Sequence, residues 1–328
     1  MNFHTVLVIR SNSVSDLRME IAARALKAAG YQVKILSEVP YYELAQEDLI
    51  ICQRPGDSMC GLLREGVKAG LPVVVDMDDD FSQIPADNPS YKVIGPANFA
   101  YHQILKYTIE EATILTTPTP VLAERYKRGT WTIPNAWDDQ NGNWKLPKVK
   151  HAGTRFGWIG TTTHRDDFEL CRESLLLFLA GRPDCSIVIG ADEKLYKHFY
   201  HIPESQKLFI PGLSAEEYPC FYSYIDVLLI PLKDTRFNQA KSDIKCVEAG
   251  AGRAAWIASP MPMYKAWGGG GMYASEPEAW TVALQEMAKP CTRQLLADQG
   301  YDVAQERSST VVGAEWVKIA DELLGVKR

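Results

Sequence analysis

The chain has 328 residues, enough for two domains, and its 46% hydrophobic and 23% charged residues are ordinary for a globular protein. A net charge of −6 and a pI of about 5.6 argue against a protein that binds DNA through a strongly basic face. Seven cysteines without a Cys-x-x-Cys pair predict a reducing compartment and no structural zinc.

No export or membrane segment is expected. The N-terminal MNFHTVLVIR has too short an apolar run for a signal peptide. No apolar run reaches the roughly 18 residues that a membrane-spanning helix needs. We therefore expect a soluble, cytoplasmic protein without a transmembrane segment.

In the first half of the chain, short apolar runs alternate with helical patterns. The predicted strands are 5–9, 31–36, 49–52, 73–75 and 113–116, and the predicted helices are 17–29, 59–69, 99–111 and 119–128. This alternation predicts a parallel sheet with helices on both faces. Ligands bind such sheets at the carboxyl ends of the strands, so residues 11–13, Arg54 and residues 78–80 are placed on the functional edge.

Four aspartates stand close together after the fourth predicted strand, in Asp76-Met77-Asp78-Asp79-Asp80. Carboxylates are good ligands for hard cations, so one interpretation is a Mg²⁺ or Mn²⁺ site. The other is a loop in which an aspartate caps the turn that follows. The residues alone leave both interpretations open.

A linker is predicted near the middle of the chain. The segment from Asn141 to Gly153 is polar, basic and rich in residues that break regular structure. We therefore predict two domains with a hinge between about Pro134 and Gly153.

The second half repeats the alternation of strands and helices. The predicted strands are 155–159, 187–190, 208–210, 226–232 and 255–258, and the predicted helices are 168–180, 195–200, 214–224, 262–267, 278–288, 293–298 and 311–324. Gly160 and Thr161 follow the first of these strands, where a glycine lets the backbone approach a phosphate closely. His164 then either faces a ligand or hydrogen-bonds locally at a helix start. Gly268 to Gly271 lack the Lys-Ser/Thr of a phosphate loop, so we expect a flexible surface turn there.

The segment after strand 226–232 carries the clearest chemical pattern. A polar loop leads into a helical pattern that begins near Ser242, an arrangement that presents free backbone N–H groups to an anion. Glu248 lies seven residues after Lys241 and is expected on the same face of that helix, roughly 10 Å away at ~1.5 Å per residue. Lys241 could then hold a phosphate while Glu248 holds a sugar diol. The alternative is a surface helix with a solvated lysine and glutamate.

The string FNQAKSDIKCVEAGA in this segment resembles the donor-binding segment of retaining, group 1 glycosyltransferases of the GT-B architecture. In that family a glutamate that matches Glu248 grips the nucleotide ribose. Many members carry another glutamate eight positions earlier, which contacts the donor sugar. This chain has Ala240 there, which leaves the donor sugar open. Two further segments, VVVDMDDDFSQIPADNP and the GW-G---H--D pattern of GWIGTTTHRDD, resemble the same subgroup.

The resemblance implies an α/β protein with the GT-B fold, in which two Rossmann-like domains with parallel sheets face each other across a cleft. The expected domains are 1–150 on the acceptor side, 151–308 on the donor side, and a final helix, 309–328, that packs back on the first domain. The implied activity is hexosyl transfer, with retention, from a nucleoside diphosphate sugar. A UDP-sugar is the expected co-substrate, and no cofactor is expected. The acceptor stays open between a glycan, a small molecule and a modified nucleic acid.

The resemblance also implies roles for individual residues. The expected donor-binding residues are Gly160, Thr161, His164, Arg236, Asn238, Lys241, Ser242, Asp243, Ile244 and Glu248. The expected acceptor-side residues are Arg54, Asp78 and Asp79, and the expected catalytic residues are Lys241 and Asp78. We favour this acceptor-side role over a metal site, because the segment that VVVDMDDDFSQIPADNP resembles lies in the first domain and faces the cleft. No divalent metal is expected to be needed, because Lys241 and a helix N-terminus can stabilise the leaving diphosphate.

Two other functions are compatible with the sequence. Ala240, in place of the usual acid, is what a non-catalytic nucleotide-sugar-binding protein would show. A DNA-base glucosyltransferase of the kind found in phages is the second, since that group includes GT-B enzymes. The acidic pI argues against it, although a local basic cleft could override the net charge.

Overall fold

The structure, a computed structural model, describes residues 4–11, 17–37, 46–126 and 129–327. The chain forms two compact units. The first comprises Met1–Asp138, Ala240–Ser242 and Ser309–Arg328, and the second comprises Asp139–Gln239 and Asp243–Ser308. Among the helices in the described ranges, none combines the length and the apolar character that crossing a bilayer demands.

Strands and helices alternate along both units. The strands are β1 (Thr5–Ile9), β2 (Gln32–Leu36), β3 (Leu49–Gln53), β4 (Val73–Asp76), β5 (Ile114–Thr117), β6 (Thr130–Thr132), β7 (Thr154–Ile159), β8 (Cys185–Gly190), β9 (Lys207–Ile210), β10 (Val227–Ile230), β11 (Ala255–Ala258) and β12 (Gly271–Tyr273). The helices are α1 (Leu17–Ala28), α2 (Asp57–Lys68), α3 (Phe99–Glu111), α4 (Pro120–Tyr126), α5 (Arg165–Gly181), α6 (Glu193–Lys197), α7 (Cys220–Ser223), α8 (Ile244–Ala251), α9 (Pro262–Lys265), α10 (Pro277–Met287), α11 (Pro290–Gln305) and α12 (Ser309–Leu324).

Within the described residues each unit contains one six-stranded sheet whose neighbouring strands are all parallel. The order is β2-β1-β3-β4-β5-β6 in the first unit and β12-β11-β10-β7-β8-β9 in the second. The central strands β3 and β4 are buried at every position and are apolar except for Gln53 and Asp76 at their carboxyl ends, as expected where helices cover both faces of a sheet. The expected α/β class with two parallel sheets is confirmed.

The strand order locates the functional edge of each sheet. In each unit the chain starts on an inner strand and then builds outward in both directions. The direction of winding reverses between β1 and β3 in the first unit, and between β7 and β10 in the second. Ligands of doubly wound sheets bind at the carboxyl ends of the strands beside such a reversal.

The last helix, α12, packs on α1 in the first unit. A Cβ atom added to Gly313 would lie 2.8 Å from the Cβ of Ala25, so a glycine lets the two helices approach closely. Trp316 is 1% exposed, and its ring lies 5.2 Å from the guanidinium of Arg18. These contacts fix the C-terminal segment of the chain within the first unit.

Two sequence predictions about local structure are wrong. The glycine run does not form only a surface turn, because Gly271 begins β12, which pairs with β11. A Cβ atom at Gly271 would lie 2.0 Å from the Trp256 side chain, so this edge strand requires a glycine beside the buried indole. The predicted helix 214–224 is helical only over α7. Ser214 and Glu217 do exchange the hydrogen bonds of a capping box, but they close a series of turns.

Candidate functional site

In the second unit, Asp167 joins the two loops that flank the reversal point of the sheet. It lies in the first turn of α5, after β7, and is 5% exposed. One carboxylate oxygen accepts a hydrogen bond from the backbone N–H of Lys233, in the loop after β10, at 2.8 Å. The other accepts from Nδ1 of His164 at 2.8 Å. A single buried carboxylate therefore fixes the loop after β10 and the imidazole after β7.

His164 is held so that one ring nitrogen is left for a ligand. Because Nδ1 donates to Asp167, the neutral imidazole has its lone pair on Nε2. Nε2 has no partner among the residues that the structure describes, and the side chain is 37% exposed. His164 also stands at the N-cap of α5 without capping it, so its ring is not used by the helix end.

The predicted residues Gly160 and Thr161 lie between β7 and His164, at the carboxyl end of that strand. A Cβ atom at Gly160 would lie 2.5 Å from the ring of Trp158, so a side chain does not fit there. The Thr161 hydroxyl pairs with that of Thr163 at 2.9 Å. Both residues thus stand at the carboxyl edge of the sheet beside His164.

In the loop after β10, the predicted residues Arg236 and Asn238 have different surroundings. Asn238 is 8% exposed and donates from its amide to the carbonyl of Lys233 at 3.0 Å, so it shapes the loop. Arg236 is exposed, and its guanidinium has no partner in the described part of the chain. It is therefore a positive charge that a ligand could use.

Glu248, in α8, is held through one of its two oxygens. Oε2 accepts hydrogen bonds from the Tyr218 hydroxyl at 2.8 Å, the Tyr222 hydroxyl at 2.9 Å and the Lys245 ammonium at 3.0 Å. Lys245 also donates to the Tyr218 hydroxyl. The Glu248 side chain is 14% exposed, and no described residue bonds to Oε1. One carboxylate oxygen is thus fixed by the protein and the other is left for a ligand.

The groups around Glu248 keep the protonation states that this arrangement needs. Burial and the neighbouring Glu248 carboxylate raise the pKa of Tyr218 to about 12, so its hydroxyl stays protonated and donates. Burial alone would lower the pKa of Lys245, but the charge of Glu248 and the Tyr218 hydroxyl outweigh it and raise that pKa. Lys245 is therefore a permanent cation beside Glu248.

The prediction that Lys241 and Glu248 share a helix face is wrong. Asp243 is the N-cap of α8, which begins at Ile244, so Lys241 and Ser242 precede the helix. Both belong to the first unit, where the Lys241 ammonium lies 3.5 Å from Asp79.

Hydrogen bonds within the first unit explain why the helix starts late. Ser242 Oγ accepts a hydrogen bond from the Asn135 amide at 2.9 Å. The hydroxyl of Thr119 donates to the carbonyl of Ala240 at 3.1 Å. These tertiary contacts hold the segment 240–242 outside α8, which begins only at Ile244.

The N-terminus of α8 has free backbone donors, as the sequence predicts. The Asp243 carboxylate does not cap the helix, because it forms two 2.8 Å hydrogen bonds with Arg307 instead. The N–H groups of Ile244 and Lys245 have no acceptor among the described residues. The start of α8 can therefore donate two backbone hydrogen bonds to an anion.

In the first unit, each carboxylate of the acidic run faces its own cation. Asp76 is fully buried and forms a bidentate pair with Arg18 at 2.8–3.0 Å. The three following aspartates form ion pairs with Arg54, Lys241 and Arg125: Asp78 with Arg54, Asp79 with Lys241, and Asp80 with Arg125. Asp80 also accepts a hydrogen bond from the backbone of Ser82 at 3.2 Å, as the capped-loop interpretation expects. No group of three metal-ligand side chains occurs among the described residues.

Two of the predicted acceptor-side residues lie under unusual constraint. Arg54 directly follows β3, beside the reversal point of the first sheet, and its φ angle of 44° is one that few side-chain-bearing residues adopt. It forms a two-pronged ion pair with Asp78. Burial raises the pKa of Asp79, against the lowering effect of the Lys241 charge, and the Asp78 carboxylate raises it further.

Ser11 lies close to the end of β1, and the predicted positions 12 and 13 lie outside the described residues.

Four residues of the second unit were not predicted from the sequence: Asp167, Tyr218, Tyr222 and Tyr264. Tyr264 is 3% exposed, yet its hydroxyl bonds to no described residue. Burial raises the pKa of the Tyr264 phenol, and the charges of Cys246, Asp243, Asp167 and Glu248 raise it further. The tyrosines carry no local signal, because tyrosine is common in buried segments. Asp167 did have one, as the last residue of the GW-G---H--D pattern.

No protein-family model matches this chain, and no curated protein matches it. Solved structures do match over most of its length. HepE from Anabaena, determined with UDP and glucose, covers 98% of this chain and is itself covered completely, with 12% identity and a TM-score of 0.67. The pneumococcal O-GlcNAc transferase GtfA, determined with UDP and GlcNAc, covers 84% of this chain and is 57% covered, with 12% identity and a TM-score of 0.62.

A structure from Listeria monocytogenes that is named for a UDP-N-acetylglucosamine 2-epimerase covers 99% of this chain and is 98% covered. Its identity is 9% and its TM-score is 0.63. Identities this low establish the fold and leave the reaction open, since a transferase and a protein named as an epimerase share it. The chain has the GT-B fold.

Proposed function

We propose that the protein is a glycosyltransferase that transfers a hexose from a nucleoside diphosphate sugar, expected to be a UDP-sugar. The observation that carries the proposal is the state of Glu248, a fixed carboxylate with one free oxygen, a few residues after two free amides at the start of α8. A carboxylate suits ribose hydroxyls, and helix-start amides suit a diphosphate. The GT-B fold and the UDP bound to HepE and GtfA support this choice of ligand.

The donor would lie along the carboxyl edge of the second sheet. Glu248 holds the ribose, the amides of Ile244 and Lys245 hold the diphosphate, and Gly160 gives the backbone after β7 room to approach it. His164 Nε2 and the Tyr264 hydroxyl stand ready to bond to donor oxygens. As the anomeric bond breaks, negative charge grows on the leaving diphosphate, and hydrogen bonds already aimed at it stabilise that charge.

The exposed guanidinium of Arg236 belongs to the same unit and adds a positive charge to the donor side. Lys241 and Asp78 are the proposed catalytic residues, and Arg54 and Asp79 have proposed roles on the acceptor side. Retention of anomeric configuration is also part of the proposal and rests on the sequence resemblance. Independence of divalent metal rests on Lys241 and a helix N-terminus, which can stabilise the charge of the leaving diphosphate in place of a metal.

A non-catalytic nucleotide-sugar-binding protein is the second candidate. The observation that favours it is at Ala240, which is fully buried, with its carbonyl accepting from Thr119. Many glycosyltransferases of this type carry an acidic side chain at this position, and Ala240 cannot supply one. Binding without turnover would therefore select this candidate.

The test is a thermal-shift panel of UDP, GDP, ADP, TDP and their sugars, followed by incubation with the labelled sugar nucleotide that binds best. A ligand that binds only the native state stabilises that state by about 2.7 kcal/mol when the ligand concentration is a hundred times the Kd. We expect UDP and a UDP-hexose to raise the Tm, and we expect slow release of free hexose, because water can replace a missing acceptor. Stabilisation without any release over days would favour the binding protein, and no stabilisation by any nucleotide would refute the proposal.

A further inference from the structure

The hydrogen bonds around Glu248 saturate one side of its carboxylate. A carboxylate oxygen has two lone-pair sites, and Oε2 already accepts from three donors at 2.8–3.0 Å. Oε1 accepts from none of the described residues. A free carboxylate presents two acceptor oxygens side by side and can take both hydroxyls of a vicinal diol. Glu248 presents only one.

The donors on Oε2 are not easily displaced. Tyr222 is 1% exposed, and the ring of Trp144 lies against it, with the centroids 5.3 Å apart. Lys245 bonds to both Glu248 and Tyr218, which ties the three side chains into one network. A ligand that took Oε2 from these groups would leave a buried hydroxyl without a partner, at a cost in binding.

We infer that Glu248 accepts a hydrogen bond from one hydroxyl of the nucleotide ribose and not from both. The site then distinguishes the 2′ from the 3′ hydroxyl, and a nucleotide lacking the hydroxyl that Glu248 does not contact binds as well as the complete one. Tyr218 and Tyr222 are the positioning residues that set this specificity. This inference rests on the proposed function, since it takes Glu248 as the ribose ligand.

The experiment compares the affinities of UDP, 2′-deoxy-UDP and 3′-deoxy-UDP by calorimetric titration of the full chain. We expect one deoxy analogue to bind within about threefold of UDP and the other about tenfold or more weaker, because a hydrogen bond to a charged group is lost. Equal large losses for both analogues would show that Glu248 grips the diol with both oxygens, which overturns the inference and leaves the proposed function standing. Equal affinity for all three would overturn it too, because no ribose hydroxyl would then be recognised.

A variant tests the role of the two tyrosines. In Tyr218→Phe/Tyr222→Phe only Lys245 still bonds to Oε2, so that oxygen can accept the second hydroxyl. We expect the analogue that the wild type tolerates to become about tenfold weaker than UDP in this variant. A merely structural role would weaken all three nucleotides alike and leave their ratio unchanged, which would overturn the positioning role.

Tyr200→Phe is the matched control, because its side chain is 71% exposed in the same unit. Its three affinities should equal those of the wild type. Glu248→Ala should abolish the discrimination between the two deoxy analogues. Failure of UDP and of every other diphosphate in the panel to bind the wild type would refute the proposed function and this inference together.

Discussion

Asp167→Asn should destabilise the second unit strongly, although asparagine has nearly the same shape as aspartate. The carboxylate is 5% exposed and accepts from His164 on one side and from the Lys233 backbone on the other, each at 2.8 Å. An amide keeps one oxygen, so its NH₂ group must face one of these two donors. If the NH₂ group faces Lys233, two hydrogen-bond donors oppose each other. If it faces His164, Nδ1 must act as the acceptor, and the imidazole proton moves to Nε2.

The size of the effect follows from the lost hydrogen bond. A hydrogen bond to a charged group contributes about 1.5–3 kcal/mol, and for a domain of this size each kcal/mol shifts the Tm by about 2–4 °C. We therefore expect Asp167→Asn to lower the Tm by about 3–12 °C in a calorimetric scan. The affinity for the nucleotide-sugar should fall as well, because Nε2 of His164 changes from a hydrogen-bond acceptor to a hydrogen-bond donor.

The neighbouring aspartate provides the control. Asp166 is 74% exposed, and its contact with Lys233 spans 4.0 Å, so Asp166→Asn should change the free energy of unfolding by less than about 0.5 kcal/mol. If the two variants unfold at the same temperature and bind UDP equally well, Asp167 does not join the two loops, and the reasoning about His164 fails with it.

Three further predictions concern the rest of the molecule. Lys148 donates to the carbonyls of Tyr222 and Ile225, and burial lowers its pKa to about 8. Between about pH 8 and 10.5 the unfolded chain therefore binds more protons than the folded one, so the free energy of unfolding should rise by about 3 kcal/mol over this range. Denaturant titrations should show this rise for the wild type and should not show it for Lys148→Met. Gly313→Ala should lower the free energy of unfolding by about 1–3 kcal/mol, because the new Cβ would meet Ala25. Gly61→Ala, in α2 with open space around the new Cβ, should raise the free energy of unfolding by up to about 1 kcal/mol. Turnover should survive EDTA, and loss of turnover that Mn²⁺ restores would make Asp78 to Asp80 a metal site.

The elements that the sequence predicts well are those defined by local patterns. The helix over Phe99–Glu111 and the strand over Ala255–Ala258 have the predicted bounds, because periodicity and flanking polar residues mark both ends. The strand order could not be read from such patterns, since it depends on which strands pair. It is the strand order that brings the loops after β7 and β10 side by side.

The errors occur where distant residues decide the local conformation. The pattern after Ala240 looks helical from Ser242 onward, but hydrogen bonds from Thr119 and Asn135, each more than 100 positions away, keep the segment outside the helix. The tyrosines that hold Glu248 lie 26 and 30 residues before it, too far for a helical spacing rule to pair them. The position of Glu248 on α8 was predictable, whereas the state of its carboxylate required the structure.

Glu248 is the residue through which the second unit is proposed to bind a nucleoside diphosphate. The most direct test is a calorimetric titration of UDP into the wild type and Glu248→Ala, with Glu193→Ala as the control, because Glu193 is a 62% exposed glutamate of the same unit. We expect UDP to bind the wild type and Glu193→Ala equally well, and to bind Glu248→Ala about ten to a hundred times more weakly. Equal affinity of UDP for all three proteins would place the nucleotide elsewhere and refute the role of Glu248.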